Sequence, residues 1–203
     1  MSIRKVEFLK GEFYHVYNRG NRKQKIFNHK SDYERFVNLL FLANSKNNFN
    51  FFNLLKSGNL YDFEKGDTLV DIGAYVLMPN HFHILITPRE EGGVSKFMQK
   101  LTTAYVMYYN QKYKRTGGLF EGKFKSQHLD NDVYLKYIFS YIHLNPIKLI
   151  DSKWKESGIK DKNKALDFLR EYDYSSYFDY KEGDRKQKLI INREAFPNYF
   201  PTP

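Results

Sequence analysis

The sequence predicts an α+β fold, a four-stranded antiparallel sheet of the ferredoxin-like, split βαβ kind with helices packed on it. Three observations carry this expectation. Strand-like and helix-like runs follow one another as strand, helix, strand, strand, helix, strand, the split βαβ order. The second and third strand runs flank Met-Pro-Asn, which reads as the turn of a hairpin. One more helical run follows the fourth strand and ends against Pro146, so a further helix is left to lie on the sheet.

Phe13-Tyr-His-Val-Tyr-Asn18 joins aromatic and β-branched residues and then meets Gly20, as strand one entering a loop would. Ser31-Asp-Tyr-Glu34 has the spacing of a capping box, and Tyr33, Phe36, Leu39, Leu40 and Ala43 recur behind it at helical intervals. Asn47 to Asp67 mixes Asn, Gly and charge with several Phe and Leu, and fits a hairpin or an insertion. Thr68 to Leu77 and His81 to Thr87 are strands two and three. Val94, Phe97, Met98, Leu101, Tyr105 and Tyr108 share one face of a helix that stops before Gly117-Gly118. Leu119 to Leu129 reads as strand four, and Asp130-Asn-Asp132 offers N-caps for the last helix, which runs to Asn145. Residues 8–150 hold this pattern. Residues 151–203 are a basic extension with a short helix from Lys162 to Glu171 and a tail containing Lys186 to Lys188 and Pro197 to Pro203.

Composition narrows the class. Apolar residues are 41% of the 203 and aromatics 18%, enough non-polar surface to offset chain entropy, so the chain folds around one core. A formal charge of +10 favours a polyanionic partner, either nucleic acid or an anionic membrane surface. With no cysteine, disulfides, thiolate metal sites and cysteine nucleophiles are excluded, and any metal needs N or O ligands. No run reaches the roughly 18 apolar residues of a membrane span, and Met1 to Lys10 lacks a signal-peptide core. The chain therefore reads as soluble and cytoplasmic.

His81 and His83 are one residue apart on strand three, so both imidazoles project from one sheet face about 7 Å apart along the backbone. Phe82, Ile84 and Ile86 point the other way, into a core. The pair can share one ion, or be two hydrogen-bonded structural histidines. On the last helix Tyr134, Tyr137, Ile138, Tyr141 and Asn145 form one stripe, with Tyr141 and Asn145 a turn apart. Such a stripe often only packs a core; beside a histidine pair it can instead supply an attacking oxygen. Phosphodiester cleavage by a side chain needs that oxygen, neutralisation of phosphoryl charge and help for the leaving oxygen. A phenol ionises near pH 10, so metal charge or a base must favour the phenolate. Mg²⁺ prefers oxygen ligands and Mn²⁺ tolerates imidazole better, and either suits this site. His143 lies two residues from Tyr141 and points elsewhere, so it reads as structural; His15 and His128, on strands one and four, approach the site if the sheet places them there, and otherwise read as structural too.

Tyr14-His-Val-Tyr-Asn-Arg-Gly20, Tyr75-Val-Leu-Met-Pro-Asn-His-Phe-His83, Gly122-Lys-Phe-Lys-Ser126 and Tyr141-Ile-His-Leu-Asn-Pro146 resemble, in this order, motifs of the REP-associated tyrosine transposases. Tyr174-Ser-Ser-Tyr177 also resembles a segment of that family. These are single-tyrosine HUH transposases, so the resemblance implies an HUH-endonuclease type of ferredoxin-like fold and a catalytic domain over 8–150. It implies Tyr141 as the nucleophile forming a 5′-phosphotyrosine link and a free 3′-hydroxyl, and His81 and His83 as metal ligands with Asn145 as the third. It implies single-stranded, hairpin-forming DNA as substrate. Related enzymes complete their sites within one chain or across two, so a homodimer stands beside a monomer as an expectation. Asn47 to Asp67 and Ser152 to Arg170 are longer than in many relatives.

Arg19, Arg22, Lys23 and Lys25 cluster after strand one, and Lys112, Lys114, Arg115, Lys123 and Lys125 bracket Gly117-Gly118. They are candidate contacts to DNA phosphates, which set affinity and salt dependence but not sequence preference. Tyr17 and Phe120 could stack on unpaired bases. Two rivals remain at this stage. One is a non-catalytic nucleic-acid-binding module on the same fold; the other is a metal-dependent hydrolase in which water attacks.

Overall fold

The computed structural model describes residues 7–56, 58, 60–181 and 184–199; Met1 to Val6 and the end of the Pro197 to Pro203 tail lie outside them. Four strands, β1 (Tyr14–Arg19), β2 (Val70–Met78), β3 (His81–Pro88) and β4 (Lys125–His128), pair antiparallel in the order β2-β3-β1-β4. Because β1 and β2 both oppose β3, they run parallel with β3 inserted between them, which is the split βαβ arrangement the sequence predicts.

Period-two alternation sorts the strand side chains into two layers. Val16, Tyr75, Leu77, Phe82, Ile84 and Ile86 enter a core completed by α1 (Lys30–Ala43) and α3 (Gly93–Lys112), through Phe36, Leu40, Phe97, Leu101 and Tyr105. The opposite face presents Ala74, Val76, Met78 and Leu85 to Leu135, Ile138, Phe139 and Ile142 of α4 (Asp132–Leu144). A register shift between Ile72 and Ala74 makes Gly73 a bulge that reverses the parity of β2, so Ile72, Tyr75 and Leu77 all face α1 and α3. Glycine is required there: a Cβ would stand 2.8 Å from the Phe196 ring.

The edge of β2 is not left open. Tyr174 and Ser176 bond to Leu77 and Tyr75 through backbone groups, and Asn192 donates to the Ile72 carbonyl. The Ser176 hydroxyl accepts from the Tyr75 amide at 2.9 Å and lies 2.8 Å from His143 Nε2, tying β2 to α4. The Tyr174-Ser-Ser-Tyr177 segment thus serves as an edge cover, which blocks strand addition by another chain. The rest of the extension forms α5 (Trp154–Ser157), α6 (Lys162–Glu171) and α7 (Tyr177–Lys181), and α6 coincides with the sequence expectation.

The structure corrects four local readings. The cap of α1 lies earlier than Ser31 and Glu34: the Asp32 carboxylate accepts the amides of Asn28 and His29, so the helix starts at Lys30. Tyr109, not Tyr108, is buried against the core; the Tyr108 hydroxyl is drawn outward to Asp32 at 3.0 Å. Of the two readings left open for 47–67, the described residues do not form the hairpin but hold α2 (Phe51–Lys56) and a 3-10 turn at Leu60–Asp62. Strand four is confined to Lys125–His128, because Gly122, at φ 73°, turns the chain after an isolated bridge between Phe120 and Gly20.

Candidate active site

His81 and His83 share the face covered by α4, and the helix brings Tyr141 to them. The Tyr141 ring centroid lies 5.3 Å from that of His83 and 6.4 Å from that of His15. Apolar residues 135, 138, 139 and 142 fix this placement by packing on β2 and β3, which turns the tyrosine flank of α4 sideways along the sheet. The predicted stripe therefore splits: Ile138 is buried, whereas Tyr134, Tyr137 and Tyr141 line the flank.

Hydrogen bonds assign the imidazole atoms. His81 Nδ1 lies 2.6 Å from Asn80 Oδ1, an acceptor, so Nδ1 carries the proton and Nε2 keeps its lone pair. His83 Nδ1 lies 2.8 Å from His15 Nε2. His83 Nε2 is buried without a partner among the described residues, and so is Asn145 Oδ1, although the Asn145 amide adjoins His81. A buried polar atom left without a partner costs about 1–3 kcal/mol, and with the His83 proton on Nδ1 both atoms are acceptors suited to a cation.

Burial keeps these rings uncharged. Desolvation lowers His15 to about 4. Desolvation, assisted by Lys148, lowers His81 to about 4, and desolvation with the neighbouring histidines and Lys155 pushes His83 well down. Neutral imidazoles have lone pairs to give. Among the described residues no cluster of three His, Cys, Asp or Glu side chains gathers to hold a metal, so an ion here would rest on two imidazoles and an amide oxygen, with remaining positions for water and phosphate. That donor set fits Mn²⁺ or Mg²⁺ held loosely.

A cavity of about 610 Å³ opens beside these residues, lined by His81, His83, Tyr141, Tyr17 and the cations Arg19, Lys23, Lys125 and Lys148. The loop carrying Lys23 is bound to the β2–β3 turn, with the Gly20 amide on Asn80 and the Ile26 amide on Pro79. Arg22 and Lys23 take left-handed backbone angles of φ 52° and 60°, which cost about 1–2 kcal/mol each. Arg19 is paired with Glu121. Lys25 and Lys123 are exposed. Lys112, Lys114 and Arg115 belong to the end of α3, in the layer opposite Tyr141, where Lys112 is bound to Asp32 and Arg115 lies over Tyr109. His128 is on that opposite side too, 2.6 Å from Glu12.

Two cations were missed in the sequence. Lys148 follows Asn145 by three residues in the turn Asn145–Leu149, a spacing that could have revealed it. Lys155 places Nζ 3.9 Å from the Tyr141 ring centroid, and only the packing of the extension brings it there. Phe120 packs against the α1/α3 core, away from the cavity.

The sequence model of the IS200-like transposase family matches residues 63–145, a span that holds His81, His83, Tyr141 and Asn145. Residues 63–145 of the chain are thus similar to the IS200-like transposases. The fold of the chain is similar to that of a solved REP-associated tyrosine transposase bound to a REP hairpin, with a TM-score of 0.53 and 13% identity over 89% of this chain and 85% of that one. A provisionally named transposase from Deinococcus radiodurans aligns with 69% of this chain and 95% of its own at 13% identity, and its TM-score of 0.38 adds no argument. No curated protein matches the chain. The resemblance drawn from the four motifs is thus borne out in the match to the IS200-like transposase model and in the four-stranded α+β architecture. No helix among the described residues is long and apolar enough to cross a membrane.

Proposed function

We propose that the chain cuts and rejoins single-stranded DNA beside a hairpin, with Tyr141 as the nucleophile. The observation that carries this reading is the meeting of the Tyr141 ring with the buried His83, which shares its face with His81, beside two buried polar atoms without partners among the described residues. In the proposed step Tyr141 Oη bonds to phosphorus as the bond from phosphorus to O3′ breaks. The phenol loses its proton and the departing O3′ gains one, leaving a 5′-phosphotyrosine and a 3′-hydroxyl; rejoining is the reverse. His81, His83 and Asn145 would hold a divalent Mg²⁺ or Mn²⁺, which would neutralise phosphoryl charge and polarise the scissile phosphate.

The chain's own groups prepare that step. The hydrogen bond between His15 Nε2 and His83 Nδ1 orients the ring, and with the proton on His83 Nδ1 the His83 Nε2 atom presents a lone pair. Lys148 and Lys155 bring positive charge to the histidines and to the Tyr141 ring, where a phosphate must sit. Arg19, Arg22, Lys23, Lys25, Lys123 and Lys125 contact the backbone of the DNA near the cavity. Lys112, Lys114 and Arg115 reach only DNA that bends round to the second layer. The hairpin substrate is supported by the likeness of fold to a transposase bound to a REP hairpin.

The Tyr141→Phe variant tests the assignment on hairpin DNA with unpaired flanks and Mn²⁺. Binding by fluorescence anisotropy should persist while strand cleavage on a denaturing gel disappears. Cleavage retained by this variant would assign the attack to water.

A further inference from the structure

α4 packs mainly on the β2 and β3 half of its sheet face, and Tyr134 reaches across to a side-chain hydrogen bond with Gln127 of β4. The other half is less covered, and its floor is set by strand pairing: Tyr17 stands opposite Lys125, and His15 opposite Gln127, all on the side of His83. Lys125 and Gln127 are exposed there, and Tyr17 is partly so. The flank of α4 forms the wall above this floor.

That wall is a ladder of aromatic rings. Tyr134 and Tyr137 have centroids 6.3 Å apart with planes at 13°, and Tyr137 and Tyr141 are 6.2 Å apart at 8°. Tyr137 is 56% exposed, while the next two residues, Ile138 and Phe139, are buried. Core packing accounts for those two residues and not for a tyrosine left in water. The rings share one orientation, run towards the phenol assigned as nucleophile, and stand over a floor that offers Tyr17 and a lysine.

We infer that Tyr134 and Tyr137 form a base-stacking rail for the unpaired strand that leads to Tyr141, with Lys125 meeting its phosphates; this rests on the single-strand reading above. Every base has a π-face, so such a rail holds a strand without reading its sequence. Bases in a duplex are already stacked on each other and have no face to give. The rail therefore selects unpaired DNA, and the charge of the floor and cavity suits a polyanion rather than a second copy of this basic chain.

The test uses the full chain, a fluorescein-labelled oligothymidylate, a blunt duplex, and a single strand containing 2-aminopurine, whose emission falls when it stacks. Wild type should quench 2-aminopurine. Tyr137→Leu should lose that quenching and bind oligothymidylate roughly tenfold more weakly, with duplex affinity unchanged, whereas Tyr137→Phe should behave as wild type. Unchanged single-strand affinity and quenching in Tyr137→Leu overturns the inference. So does a wild-type dimer in sedimentation that Tyr137→Leu dissociates without loss of DNA binding. Circular dichroism checks the fold, and if the leucine variant is unfolded, Tyr137→Trp replaces it: equal or tighter binding supports the rail, and weaker binding overturns it. A wild type that quenches 2-aminopurine yet forms no covalent adduct sinks the cleavage reading and leaves the rail standing.

Discussion

One sheet has two faces built to different ends. Towards α1 and α3 it presents Val16, Tyr75, Leu77, Phe82, Ile84 and Ile86, interlocked with Phe36, Phe97 and Tyr105. Towards α4 it buries His15 and His83 and leaves three polar atoms, His15 Nδ1, His83 Nε2 and Asn145 Oδ1, without partners among the described residues. The first face gains free energy from apolar burial and dispersion. The second gives some of it up, since unsatisfied buried polar atoms lower stability. Adjacent residues of β3 thus serve opposite purposes, and the comparison makes distinct predictions for them.

The largest contrast is between Phe82 and His83. Phe82→Ala should cost about 3–5 kcal/mol of stability through the cavity it leaves, measured by urea unfolding. His83→Leu should change stability by about 1 kcal/mol or less and abolish cleavage. Equal loss of stability in both variants would erase the distinction between the faces.

An intermediate effect tests the supporting layer. Asp32 is fully buried, and Lys112 contacts it at 2.5 Å and Tyr113 at 2.6 Å. Burial alone would raise this carboxyl, but Lys112, Tyr113 and the amides of His29 and Asn28 outweigh it and lower it from 3.8 to about 2. Because the folded value lies below the unfolded one, the stabilisation is full above the unfolded value of 3.8 and is lost as pH falls towards 2. Asp32→Asn should cost about 3 kcal/mol at neutral pH, as expected for breaking a buried ion pair. The variant should also lose the part of the acid-induced decline in melting temperature that falls between pH 4 and 2. A variant as stable as wild type at neutral pH would remove the ion pair from the account of this face.

The smallest effects belong to the open edge of the other face. Lys125→Ala and Lys148→Ala should each weaken DNA binding a few-fold at low salt and reduce the slope of log affinity against log salt by about one. Salt titrations by anisotropy read this directly, and unchanged slopes would place both lysines off the DNA path.

Much of this division was legible in the sequence. Parity along His81-Phe-His-Ile-Leu-Ile86 gave the two faces, because it follows from local backbone geometry. Boundaries decided by long-range partners were not legible. Asp32 caps α1 while held by residues from α3, and strand four is cut short by a glycine turn that the apolar pattern hides. Lys155 reaches Tyr141 only because the extension folds back, and the Tyr174-Ser-Ser-Tyr177 segment acquires its role only beside β2. His15 looked structural by itself; its contact with His83 depends on strand register, which a single sequence leaves open.

Mass spectrometry of the protein after incubation with single-stranded hairpin DNA and Mn²⁺ addresses the assignment of Tyr141 most directly. The account predicts a nucleotide adduct on the peptide containing Tyr141, attached through its phenolic oxygen and absent from Tyr141→Phe. DNA cleaved by wild type with no adduct on any residue, or with the adduct on a different tyrosine, would contradict it.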